Sequence, residues 1–116
     1  MSFAIRVTAG KNKDRVFVLK PGKNFAGRKS TLDIPLVNER DMEYEQFELE
    51  VGKGKVYLRD LSKSGTFVNR KKIYGVQELK AGDTIDIGRK VCFVLEETGE
   101  EPEETEESEE KSENMA

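Results

Sequence analysis

Apolar and polar positions alternate with period two through most of the first 95 residues. Phe3, Ile5 and Val7 share one side of such a run. Phe47, Leu49 and Val51 repeat it, as do Val56 with Leu58, Ile85 with Ile87, and Val91, Phe93 and Leu95. Alternate side chains of an extended chain point to opposite faces, so each run describes a strand with one buried and one wet face. Turn signals separate the runs at short intervals: GKNKD, KPGKN, VGKGK, SKSG and KAGD. No stretch before residue 96 spaces apolar residues at i, i+3, i+4 over three turns. The segment VNERDMEYEQ predicts one helical turn at most, with Asn38 as its cap, because alternation resumes at Phe47. Many short strands between glycine-bearing turns predict an all-β fold, an antiparallel sandwich or barrel.

The alternation ends where composition changes. From Glu96 the chain reads EETGEEPEETEESEEKSENMA, with Met115 as its one candidate core anchor. A block of like charge with almost no apolar content is expected to be disordered. The boundary is placed at Thr98, dividing the chain into a domain over 1–97 and an acidic tail over 98–116. This division explains a net charge of only -3. Residues 1–95 hold 19 Lys+Arg against 12 Asp+Glu, a balance of +7, and the remainder holds one Lys against 11 Glu, a balance of -10. A length of 116 residues fits one domain with one core.

Composition also removes chemistry. The chain has no histidine, and Cys92 is its single cysteine, so an internal disulfide and a Cys/His zinc site are both excluded. The commonest general base is missing, along with every Ser-His or Cys-His nucleophile arrangement, and no cofactor, metal or enzymatic role is expected. Cys92 reads as a small strand residue. The N-terminus lacks the apolar core of a signal peptide, and no apolar run approaches a membrane span. A cytoplasmic, monomeric protein without membrane contact is expected.

Four motifs follow in order: FAGRKSTLDIPL with the pair Gly27-Arg28, then ERDMEYEQFELEV, then VYLRDLSKSGTFVNRKKI, and last LKAGDTIDIGRKVCFVLEE with a Gly-Asp turn between alternating strands. Together they resemble the forkhead-associated (FHA) domain over about residues 3–96. That resemblance implies a sandwich of about 11 strands whose apical loops bind phosphothreonine peptides and perform no chemistry. Arg28 then stands as the principal phosphate partner, since a guanidinium grips phosphate bidentately. Lys63 and Ser64 lie where the family's loop meets phosphate and peptide backbone. Gly65 fits a turn with positive φ, while Thr66 and Asn69 fit loop construction by short polar side chains.

The sequence departs from the family most at DMEYEQF. Where the family shows a phosphate-binding serine and a bracing histidine, this chain has Glu43 and Gln46. Gln46 suits the bracing role. A carboxylate at 43 faces a doubly charged phosphate at a cost of about 1–4 kcal/mol, and is expected to pair with Arg28 in the free protein. Two readings stay open here. In one, the domain binds phosphothreonine through Arg28, Lys63 and Ser64, with Arg40 or Tyr44 replacing the serine. In the other, Glu43 has closed the pocket and the domain recognises a protein without phosphate. Thr98 and Thr105 are candidate phosphorylation sites, through which the chain's own tail is a possible ligand for Arg28 and Lys63. Basic residues Arg70 to Lys72, Lys53, Lys55, Arg89 and Lys90, with Tyr57 and Tyr74 as stacking platforms, form a minor nucleic-acid reading that the acidic tail opposes.

Overall fold

Each alternating run becomes a strand in the computed structural model, which describes residues 2–99. The strands are β1 (Ser2–Ala9), β2 (Val16–Val18), β3 (Gly22–Gly27), β4 (Ile34–Pro35), β5 (Phe47–Gly52), β6 (Lys55–Asp60), β7 (Phe67–Val68), β8 (Lys71–Lys72), β9 (Val76–Leu79), β10 (Thr84–Ile87) and β11 (Val91–Thr98). They form two sheets, one ordered β2-β1-β11-β10-β7-β8 and the other β4-β3-β5-β6-β9. No helix occurs among the described residues. The expected turn at Asn38 is instead a chain of tight turns, with Glu39 N–H donating to the Leu36 carbonyl and Met42 N–H to that of Glu39. Pairing is antiparallel throughout except between β3 and β4, where Ala26–Gly27 runs parallel to Ile34–Pro35. This two-residue pair lies at a sheet edge, the position that tolerates a proline.

The core is the set that alternation picks out. Phe3, Ile5 and Val7 of β1, Phe47 and Leu49 of β5, Val56 and Leu58 of β6, Ile85 and Ile87 of β10, and Phe93 and Leu95 of β11 are all buried between the sheets. Phe47 and Phe93 meet edge-to-face across the layer, with centroids 5.7 Å apart. Burying one such ring contributes about 2–3 kcal/mol, so this contact is a main tie between the sheets.

Strand polarity decides where polar residues gather. The β3–β4, β4–β5 and β6–β7 connections share one end of the sandwich, with Leu61 N–H bonded to the Gln46 carbonyl and Lys29 N–H to that of Tyr44. The β10–β11 turn joins them, since Gly88, Arg89 and Lys90 line one cavity with Asp41 and Ser64. β11 starts at that end and runs away from it to Thr98, which pairs with Ser2. Thr98 is thus the last residue of a strand at the opposite pole, its hydroxyl against that of Ser2. Thr105 and the tail beyond Gly99 lie outside the described residues.

Candidate functional site

The main chain at the end of β3 fixes the apical loops. Gly27 lies so close to the β4–β5 connection that a Cβ there would stand 2.1 Å from the Tyr44 carbonyl oxygen. Glycine is therefore obligatory beside Arg28, for a close backbone approach rather than for φ. Arg28 N–H then donates to the Glu43 carbonyl at 3.0 Å.

Gln46 is the hub between two loops. It is fully buried. Its Oε1 accepts from the Glu43 N–H at 2.8 Å, and its Nε2 donates to the Gly65 carbonyl at 3.0 Å and to Thr66 Oγ1 at 3.1 Å. The Thr66 hydroxyl donates onward to Asp60 Oδ1 at 2.8 Å. Asp60 Oδ1 also accepts from the Ser62 N–H and hydroxyl, at 3.0 and 2.7 Å. Gly65 takes φ +104° and donates its N–H to Ser62 Oγ. Asn69 braces the start of β10, its Oδ1 accepting from Thr84 N–H at 3.0 Å and its Nδ2 donating to Asp83. Gln46, Gly65, Thr66 and Asn69 all bond within or across these loops. Asp60 was missed in the sequence, although a strand-ending Asp two residues before Ser62 carries the signal of an Asx turn.

The loop tip does not stand open. The Glu43 carboxylate accepts from the Lys63 N–H at 3.0 Å, the Ser64 N–H at 2.7 Å and the Ser64 hydroxyl at 2.7 Å. Successive backbone N–H groups form a concavity suited to an anion, and here the anion is the chain's own. The Ser64 hydroxyl above all, then the two N–H groups and the Lys63 charge, holds the Glu43 carboxyl below its ordinary range.

Arg28 is engaged elsewhere, which corrects the expected Glu43–Arg28 pair. Its Nε donates to the Met42 carbonyl at 2.7 Å, and its guanidinium lies 5.1 Å from the centre of the Tyr44 ring. The Glu43 backbone is held by Gln46 on one side and by the Arg28 N–H on the other, and this aims its side chain across to the β6–β7 loop. Arg28 lines a cavity of about 500 Å³ with Lys11, Val37, Asn38 and Arg40. Arg40 therefore joins Arg28, and Tyr44 serves as a platform beneath it, while Lys63 and Ser64 belong to Glu43. Of the other basic residues, Arg70, Arg89 and Lys90 line a cavity of about 300 Å³ with Asp86 and Cys92. Tyr57 is on the second sheet and Tyr74 sits beneath Lys72, 5.8 Å from Nζ to ring centre.

Strands that serve as scaffold and loops that gather polar groups at one end define a β-sandwich recognition domain. The family model for the FHA domain matches residues 24–88, more than half of the chain. The chain belongs to the FHA domain family. Among solved structures, it is similar to the FHA domain of a Chlamydia trachomatis protein at 26% identity, with a TM-score of 0.75, covering 85% of this chain and 100% of that one. It is also similar to an FHA domain studied for phosphothreonine-dependent interactions, at 23% identity and a TM-score of 0.74, covering 84% of this chain and 98% of that one. A third similarity is to the FhaA FHA domain complexed with the intracellular domain of Rv3910, at 23% identity and a TM-score of 0.71, covering 81% and 99%. No curated protein matches the sequence.

Proposed function

We propose that the chain is a non-catalytic protein-interaction module that meets its partner with the apical loops and seats no phosphate at the loop tip. One observation supports this above the rest: the Glu43 carboxylate takes both backbone N–H groups and the hydroxyl that face outward from Lys63 and Ser64. A phosphate needs those same donors. Residence in a reducing, cytoplasmic compartment belongs to the same proposal and rests on the single cysteine.

A second reading, phosphothreonine recognition at the tip, is favoured by one feature. The tip already holds an anion, so a phosphate that displaced Glu43 would find donors in place. The two readings separate by titrating isotope-labelled protein with a phosphothreonine peptide library while following backbone amides. In the wild-type chain the Lys63 and Ser64 amides are expected to stay unmoved at micromolar peptide. In Glu43→Ser they are expected to shift, and phosphatase treatment of the peptides to abolish the shift. Phosphate-dependent movement of both amides in the wild type would establish the second reading instead.

A further inference from the structure

The outer face of the six-stranded sheet carries a cavity apart from the loop tip. Ala9, Cys92, Asp86 and Phe67 stand in one register row across β1, β11, β10 and β7. Their neighbours along the strands, Ile85, Ile87, Phe93 and Val68, are buried between the sheets, so the row itself points outward. It is half-buried and floors a cavity of about 300 Å³. Burial above all, then a hydrogen bond with Asp86, raises the Cys92 thiol above its ordinary value and keeps it protonated at neutral pH. Cys92 thus counts with Ala9 and Phe67 as apolar floor.

Two turns bring positive charge to the rim. Arg89 and Lys90 come from the β10–β11 turn and Arg70 from the β7–β8 turn, and all three are exposed. No ion pair engages them among the described residues. Asp86 is the one acid of the lining among the described residues. Arg70 is held there under backbone strain. Phe67 pairs with Lys72 and Val68 with Lys71, which leaves a two-residue loop of Asn69 and Arg70 with φ +50° and +70°. Asparagine tolerates such values and glycine is the usual second residue, whereas an arginine is strained. Strain kept at an exposed turn points to a use for the side chain it carries.

An occupant must bring negative charge together with an apolar group, and the chain's own C-terminal segment has that composition. Residues 100–116 hold nine Glu against one Lys, and Met115 is their one large apolar side chain. The single Lys111 matches the single Asp86. The segment also starts within reach. β11 passes the cavity at Cys92 and ends at Thr98, about 20 Å away at the rise of a strand. Met115 follows Gly99 by 16 positions, a span of up to about 50 Å when extended.

We propose that this cavity docks residues 109–115 of the same molecule, with Met115 on the floor of Phe67 and Cys92 and the glutamates beside it on Arg70, Arg89 and Lys90. A thioether and an aromatic ring suit each other, and tethering supplies the segment at a local concentration of about millimolar. Arg89 and Lys90 also line the cavity that Asp41 and Ser64 share, so the docked segment lies against the loop end, whichever ligand the tip takes.

Cys92 is the only thiol in the chain and serves as the probe. Iodoacetamide is neutral, so its rate of alkylation reads access to the cavity. That rate is expected to be about threefold slower in the full chain than in Met115→Ser, which keeps every charge of the segment. Arg70→Gly is expected to lose the same protection while raising Tm, because glycine takes φ > 0 without strain. In isotope-labelled protein, Met115→Ser is expected to shift the Phe67, Arg70, Lys90 and Cys92 amides. Equal alkylation of wild type and Met115→Ser, or shifts at these amides no larger than elsewhere on the body, would overturn the docking and leave the reading of the tip untouched. So would full protection in Arg70→Gly. Protection that fades on dilution would place a second copy's segment in the cavity and overturn docking within one molecule.

Discussion

Replacing Glu43 by Gln tests the contact on which the loop tip depends. The substitution keeps the side-chain length and one carbonyl acceptor and removes the charge. Three donors reach the carboxylate: two backbone N–H groups and the Ser64 hydroxyl. Hydrogen bonds to charged groups contribute about 1.5–3 kcal/mol each where they are buried. These lie at the surface, where solvent competes and screening is strong, so the whole set is discounted to about 1 kcal/mol. For a domain of this size that is about 4–8 °C in Tm. The pH dependence carries the sharper signature. The folded-state pKa of Glu43 is lowered from 4.5, so its contribution is fully present above that value and is lost as pH falls through the folded value. Thermal melts of both proteins from pH 7 down to pH 3 are therefore expected to differ at neutral pH and to converge in acid. Other carboxylates with lowered values, such as Asp33 and Glu78, cancel in the difference. A gap that persists undiminished at pH 3, or a variant as stable as the wild type at pH 7, would refute the carboxylate–loop contact.

Gln46→Ala is expected to cost about 2–4 kcal/mol in urea unfolding, because it strips partners from the Glu43 N–H and the Gly65 carbonyl at a fully buried position; a loss below 1 kcal/mol would deny it the hub role. Phe93→Ala should cost about 3–5 kcal/mol by the same measurement, since it removes the ring that packs on Phe47 between the sheets. Gly27→Ala forces a Cβ against the Tyr44 carbonyl and should cost about 3 kcal/mol, read as a fall in Tm with lost amide protection at Arg28. Arg28→Ala gives up one hydrogen bond and a ring contact at a half-exposed site and should cost only about 1 kcal/mol; a loss above about 3 kcal/mol would mark Arg28 as structural.

The strands were legible because their code is local. Phe3, Ile5 and Val7 declare a buried face within six residues, and the structure buries all three. Gly65 and Thr66 follow a similarly local logic, acting on Ser62 and Asp60, whereas Gln46 reaches Gly65 and Thr66, and Asn69 reaches Asp83 and Thr84, across distances in sequence that only the fold closes. The partner of Glu43 was not legible. Charge alone favours Arg28, and the choice of Lys63 and Ser64 depends on how Gln46 and the Arg28 N–H orient the Glu43 backbone. Lys11 was invisible for a stronger reason. It lies 29 positions before Arg40, and hydrogen bonds from Asn12 to Asn38 and Glu39 bring the two loops together.

What an incoming phosphate must displace decides between the two readings of the tip. It must break the Glu43 contact, at about 1 kcal/mol on the reasoning above. If the carboxylate stays within a few ångströms, repulsion adds about 1–4 kcal/mol; if it swings outward, the repulsion fades but the contact is lost in full. Arg28 Nε must also leave the Met42 carbonyl before its fork can turn toward the tip, for about another 1 kcal/mol. Together these make about 2 kcal/mol if the carboxylate swings outward and about 3–6 kcal/mol if it stays, before any new bond forms, so the cost is at least about thirtyfold in affinity at 1.4 kcal/mol per factor of ten.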